Sequence, residues 1–172
     1  MDVRLAIASR REVRQYAPGP LPDDVVTRIL DAGRLAGSGQ NRQPWQFVVL
    51  DSGERIERLA QAVFAPSNLL GATLVVAIVV RGKGPTAFDA GRAAQNMLLQ
   101  AWNEGVGASP NGIADTDAAR AALELDDDEE KLAIVLSFGW PARPRDPSAR
   151  TADEWSTRAN RRPLDELVRR LS

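Results

Sequence analysis

GSGQNRQPWQFVVL, residues 37–50, passes from a polar, glycine-bearing loop directly into a strand, and the rest of the chain reads outward from that junction. WQFVVL at 45–50 is aromatic and β-branched throughout, which favours extended backbone. Upstream, LPDDVVTRILDAGRLA at 21–36 predicts a helix with Val25, Val26, Ile29, Leu30 and Ala32 on one face and Asp23 and Asp24 near its start. Pro18, Pro20 and Pro22 make a stiff connection before it, because each ring fixes φ and restricts the preceding residue. A short helix is expected over 2–12, followed by RREVRQY. Downstream, GERIERLAQAVF reads as a helix. ATLVVAIVV at 72–80 is apolar along its whole length, as a central strand covered on both faces must be.

Residues 86–104 form the longest predicted helix, with Ala90, Ala93, Ala94, Met97, Leu98, Ala101 and Trp102 recurring at intervals of three and four. Its many alanines allow a neighbouring helix to approach closely. A glycine-bearing turn over Gly105–Gly112 is expected to end it, and a further helix is read around Thr116–Leu123. LDDDEEK reads as a solvated acidic segment and LAIVLSFG at 132–139 as another buried strand. This mixture predicts an α+β fold with helices packed on a small sheet. The remaining residues, 141–172, carry few core formers before Leu164. Trp155 and the face Leu164, Leu167, Val168 and Leu171 suggest an arm lying against something already folded, such as a second subunit. The alternative is a tail packed on its own domain or partly disordered.

Length and composition exclude several classes. The 172 residues suit one domain, or one domain plus an arm. A net charge of -1 argues against a nucleic-acid binder. No apolar run is long enough to span a membrane, and the start lacks a secretory pattern, so a cytoplasmic location is expected. Without cysteine there is neither a disulfide framework nor thiolate chemistry. Without histidine, Ser-His-Asp hydrolysis, histidine proton shuttles and the usual zinc sites are absent. That leaves chemistry carried by an organic cofactor, or carboxylate-only Mg²⁺ sites. Neither a dinucleotide-binding G-x-G-x-x-G in its strand–turn–helix setting nor a G-x-x-x-x-G-K-[ST] loop is present.

Two basic clusters stand near the ends of the chain. Arg10, Arg11 and Arg14 can fork onto phosphate oxygens, although three arginines in five residues also occur on ordinary surfaces. Glu12 among them would repel an anion, neutralise one arginine or point away. Arg161 and Arg162 form the second cluster, just before Pro163. Between the clusters, Ser38, Gln40, Asn41 and Gln43 can read the edge of a ring carrying carbonyls and N–H groups, as a flavin does, or simply satisfy the loop's own backbone. Gln95 and Asn96 on the long helix can simply satisfy neighbouring loops, and Arg92 can pair with Asp89 or with the acidic segment.

Taken in order, four segments resemble the nitroreductase family of FMN-dependent, NAD(P)H-linked reductases. They are residues 6–50, DAGRAAQNMLLQAWNEGVGASPNG at 89–112, LSFGWPARP at 136–144 and RRPLDELV at 161–168. The resemblance covers nearly the whole chain, and its first two blocks are the specific ones. It implies a nitroreductase-like α+β homodimer with a small antiparallel-type sheet flanked by helices, one domain over 1–172, and the arm 141–172 exchanged between subunits. It implies FMN at the interface, with Arg10, Arg11 and Arg14 on the phosphate and Arg161 or Arg162 closing that site. Ser38, Gly39 and Asn41 match the loop that approaches the cofactor from the other subunit, with Gln43 supporting it. Asn111 or Gly112 matches the turn that places a backbone N–H near flavin N5.

The implied reaction is ping-pong: NAD(P)H gives hydride to flavin N5, leaves, and is replaced by a small oxidised acceptor such as a nitroaromatic, a quinone or free flavin. No catalytic side chain and no metal ligand is expected. Three features depart from the family pattern. Glu12 replaces a serine, Gly39 replaces a small polar residue, and about five residues link strand 72–80 to the long helix, leaving little for a substrate lid. A deazaflavin, a specialised reduced-flavin reaction, or a dimer that has lost its flavin and binds another partner are the alternatives these departures leave open.

Overall fold

Leu74–Val80 is buried at every position, the central strand that its unbroken apolar run requires. The computed structural model describes residues 1–50, 53–125 and 128–171. Its contacts divide the chain into two compact units, Glu12–Pro144 and Met1–Arg11 with Arg145–Ser172. In chain order the elements are α1 (Val3–Ser9), β1 (Tyr16–Ala17), α2 (Asp23–Arg34), β2 (Trp45–Leu50), α3 (Gly53–Ala60), α4 (Ser67–Leu70), β3 (Leu74–Val80), α5 (Thr86–Asn103), β4 (Gly107–Asn111), α6 (Thr116–Ala122), β5 (Lys131–Pro141) and α7 (Ala152–Arg158).

The larger unit holds the sheet. β3 pairs with β2 and β5, and β5 also pairs with β4 and, near its end, with β1; each of these pairings is antiparallel. Side chains alternate across β3, so each face of the strand enters a different core. Val76, Ile78 and Val80 pack with Ile29 of α2 and with Ala93, Met97 and Ala101 of α5. Val75, Ala77 and Val79 pack with Leu59 of α3, Leu69 of α4 and Ala119 of α6. Each fully buried Ile, Leu or Met in these cores contributes about 1.5–3 kcal/mol. Asn96 Nδ2 donates to the Ala32 carbonyl at 3.1 Å and ties α5 to α2. The α+β architecture with helices flanking the sheet is therefore as expected.

The structure corrects the sequence reading in four places. The expected turn over Gly105–Gly112 contains β4, and only Gly105, at φ 76°, has turn geometry at its start. GASPN lacks strand formers, but β5 supplies its ladder, and Pro110, which has no N–H, takes an exposed position. β1 is a two-residue strand and α4 a single turn, both too short to carry a periodic signal. The acidic segment is not solvated throughout. Asp126 and Asp127 lie outside the described residues, and Asp128 and Glu129 are exposed. Glu130 is buried and accepts from Arg81 Nη2 at 2.7 Å.

The smaller unit packs α1 with α7 and a 3-10 turn at Pro147–Ala149. A capping box starts α7: Glu154 N donates to Thr151 Oγ1 at 3.3 Å and Thr151 N to Glu154 Oε2 at 2.8 Å. Trp155, on α7, is buried, and its Nε1 donates to the Pro147 carbonyl at 2.8 Å. Leu164, Leu167, Val168 and Leu171 are exposed. Among the described residues, no helix is long and apolar enough to cross a membrane.

Candidate functional site

Positive charge gathers in the smaller unit. Arg11 and Arg150 both lie over the Trp155 ring, at 5.5 and 4.9 Å from its centroid. Arg11 Nη1 donates to the carbonyls of Ala8 at 2.8 Å and Arg10 at 2.9 Å, and Nη2 donates to that of Trp155 at 3.2 Å. Burial, and then the charges of Arg145, Arg161, Arg10 and Arg158, push the Arg11 guanidinium below its usual value. Neighbouring acids are engaged elsewhere. Asp153 pairs with Arg4, Glu154 closes the capping box, and Asp146 caps the 3-10 turn through Ser148 N at 2.8 Å. Such a field favours a phosphate dianion.

Of the residues singled out in the sequence, Arg10, Arg11 and Arg161 are thus brought together. Arg145 and Arg158 join them and were not foreseen; Arg158 follows Trp155 by one helical turn, a spacing visible only once α7 is recognised from TADE. Arg162 is exposed and is not among the charges acting on Arg11. Glu12 and Arg14 belong to the larger unit and are exposed, with opposite electrostatic effects on Tyr16.

The 38–43 loop is held in an uncommon conformation. Gln40, Asn41 and Gln43 have φ of 53°, 55° and 48°, a left-handed backbone that L-residues adopt at a cost. Ser38 Oγ accepts from Gln43 N at 2.8 Å, and buried Asp89 accepts from Gly39 N at 3.3 Å. Gln43 Nε2 reaches the Asn41 carbonyl at 3.4 Å, within the same loop. Strain of this kind gathers at ligand sites. A cavity of about 620 Å³ lies beside the loop, lined by Arg42, Gln43, Trp45, Gln46, Lys83 and Asp89 among others. A second, of about 590 Å³, is lined by Gly37, Phe88, Arg92 and Gln95. A Cβ on Gly37 would come within 2.3 Å of Arg92 Nη2, so only glycine lets that guanidinium lie there. Arg92 stands 3.9 Å from Asp89, a loose pair.

Asn111 ends β4 with its side chain turned inward. Its Oδ1 accepts from Asn68 Nδ2 at 3.0 Å, and its Nδ2 donates to Ser137 Oγ and to the Ser109 carbonyl, each at 3.1 Å. The Asn111 side chain is therefore engaged within the chain, and its backbone pairs with Val135 in the β4–β5 ladder. Gly112 is exposed, and its carbonyl accepts from Phe64 N at 3.1 Å.

The nitroreductase family model matches residues 7–83 and 80–140 of the chain. A protein of Methanothermobacter thermautotrophicus assigned as an NADH dehydrogenase/NAD(P)H nitroreductase is 32% identical over 120 residues, covering 66% of this chain. That match spans 62% of the relative, less than two thirds of its length. An Archaeoglobus fulgidus protein with the same assignment is 28% identical over 149 residues, or 81% of this chain and 86% of that one. Among solved structures, a Desulfovibrio desulfuricans protein assigned as a nitroreductase, in complex with FMN, superposes with a TM-score of 0.83 at 28% identity. The superposition covers 100% of this chain and 98% of that one.

Proposed function

Because the chain belongs to the nitroreductase family, we propose that it is an FMN-dependent oxidoreductase that draws hydride from NADH or NADPH and delivers it to a nitroaromatic, quinone or flavin acceptor. The observation that carries this reading is the arginine field about Arg11, built from Arg10, Arg145, Arg158 and Arg161. It fits the phosphate of FMN, and the similarity to a protein solved with FMN supports the same cofactor.

Arg10, Arg14, Arg161 and Arg162 are proposed as phosphate ligands. Arg11 adds its charge while holding α1 to α7. Ser38, Gly39 and Asn41 are proposed to meet the ring system, with Gln43 keeping the loop in shape. The backbone at Asn111 and Gly112 is proposed to face the ring's redox nitrogen, where an N–H donor would favour the reduced form. FMN, when bound, supplies the hydride acceptor and donor for two half-reactions at one site. No side-chain acid or base is assigned.

A homodimer is part of the same reading, with the loop of one copy serving the flavin of the other. The exposed Leu164, Leu167, Val168 and Leu171, and Phe88 beside the second cavity, support it, since such surface is normally covered. Only Arg81–Pro85 links β3 to α5, which leaves little chain for a lid and suits a broad range of acceptors. The test is direct. Purified protein should carry visible flavin absorbance, release FMN on denaturation and oxidise NAD(P)H with a quinone in ping-pong kinetics. A colourless protein that takes up no added FMN overturns the reading.

A further inference from the structure

The larger unit buries a line of hydrogen bonds that the reaction itself does not use. Asn68 Nδ2 donates to Asn111 Oδ1 at 3.0 Å, and Asn111 Nδ2 donates to Ser137 Oγ at 3.1 Å. Ser137 Oγ lies 2.9 Å from Tyr16 Oη, and Tyr16 Oη donates to the Val13 carbonyl at 2.8 Å. Tyr16 Oη also reaches the Ser137 carbonyl at 3.1 Å and Ser137 Oγ the Ser109 carbonyl at 3.3 Å, so either hydroxyl can be the donor between them. The line runs from α4 through β4 and β5 to the residues before β1.

Asn68, Asn111 and Ser137 are 7%, 3% and 0% exposed. Polar groups so placed stabilise no more than apolar groups of the same shape would, but when fully paired they fix geometry. The backbone is arranged to the same end. Val13 N donates to the Ala108 carbonyl at 3.0 Å. A Cβ on Gly107 would stand 2.6 Å from Val13 Cγ1, and one on Gly139 would stand 2.9 Å from the Tyr16 ring. β4 and β5 are thus cleared for the 13–16 segment to lie against them. One end of the line holds the Val13–Arg14 peptide, and the other holds the end of β4 at Asn111.

We infer that Tyr16, Ser137 and Asn68 are positioning residues for the flavin, tying the segment that carries Arg14 to the Asn111–Gly112 backbone so that phosphate and ring are held in one register. The inference rests on the flavin reading above, in which Arg14 serves the phosphate and Asn111–Gly112 the ring.

FMN and riboflavin differ only by the phosphate, so their affinities separate the two ends. Deflavinated protein is titrated with each, and the midpoint potential and visible band of bound FMN are measured for wild type, Tyr16→Phe, Ser137→Ala and the double variant. Tyr16→Phe should weaken FMN about ten-fold, as expected for one lost hydrogen bond, and riboflavin much less. It should also shift the potential and the band, which are properties of the ring at the other end. The double variant should do no more than either single one, because both break the same line. Folded variants with the wild-type FMN-to-riboflavin ratio, potential and band overturn the inference while leaving the flavin reading standing. If Tyr16→Phe folds poorly, Ser137→Ala decides by the same readouts. Wild-type protein that binds neither flavin removes both readings.

Discussion

Arg11 lies across the face of Trp155, 5.5 Å from the ring centroid, and donates to the Trp155 carbonyl at 3.2 Å. The second arginine of the RR pair is therefore engaged in joining α1 to α7, and its remaining bonds go to Ala8 and Arg10 on its own segment. A guanidinium can bind an anion and brace a helix pair, but each donor serves only one partner. Three of the five N–H donors of Arg11 thus serve the protein's own carbonyls.

Arg11→Ala and Arg161→Ala should accordingly have different consequences. Removing Arg11 breaks partly solvated bonds to carbonyls, at a cost of about 1 kcal/mol, and should lower the melting temperature by roughly 2–4 °C. Arg161 is exposed, so its removal should leave the melting temperature unchanged while weakening FMN and sparing riboflavin. Thermal melts beside flavin titrations check both. An Arg161→Ala protein with undiminished FMN affinity would take Arg161 out of the site.

The 38–43 loop should report on the ring end instead. Ser38→Ala removes the acceptor of the Gln43 N–H, which helps hold three left-handed residues in place. Because the loop is exposed, stability should change by less than about 1 kcal/mol. Affinities for FMN and riboflavin should fall together, by a similar factor. A fall confined to FMN would mean that the loop serves the phosphate.

Glu130→Ala should be more costly than its place in an acidic run suggests. Glu130 Oε1 accepts from Arg81 Nε at 3.2 Å and Nη2 at 2.7 Å, with the carboxylate side chain 10% exposed. Arg81 is half exposed and can rehydrate, so a loss of about 1–2 kcal/mol is expected by urea denaturation. Glu130→Gln, which keeps an acceptor, should lose less.

What the sequence made legible follows from where each signal is written. β3 and α5 are legible because burial on two faces demands an unbroken apolar run, and burial on one helical face demands spacings of three and four. β4 was hidden because GASPN is extended only through its partner β5, which is remote in the chain. Arg10, Arg11 and Arg161 stand in local basic runs, whereas Arg145 and Arg158 enter their field only through the packing of the smaller unit. The Tyr16–Ser137 contact joins residues 121 apart and has no local signature at all.

That contact makes a prediction at high pH. Burial first, with the charge of Glu12 adding to it and the Ser137 bond and Arg14 opposing, pushes the Tyr16 phenol up to about 12. An unfolded tyrosine titrates near 10, so the folded state favours the neutral phenol. Its contribution to stability is fully present below about pH 10 and is lost as pH rises through about 12, a total of about 2–3 kcal/mol. Tyr16 is the only tyrosine in the chain, so tyrosinate absorbance follows it alone. In the folded protein that absorbance should appear well above pH 10, and unfolding in urea should become easier across the same interval. Tyr16→Phe should flatten the decline. Tyrosinate forming near pH 10 in folded protein would show that the phenol is not held by the buried line that Ser137 and Val13 define around it.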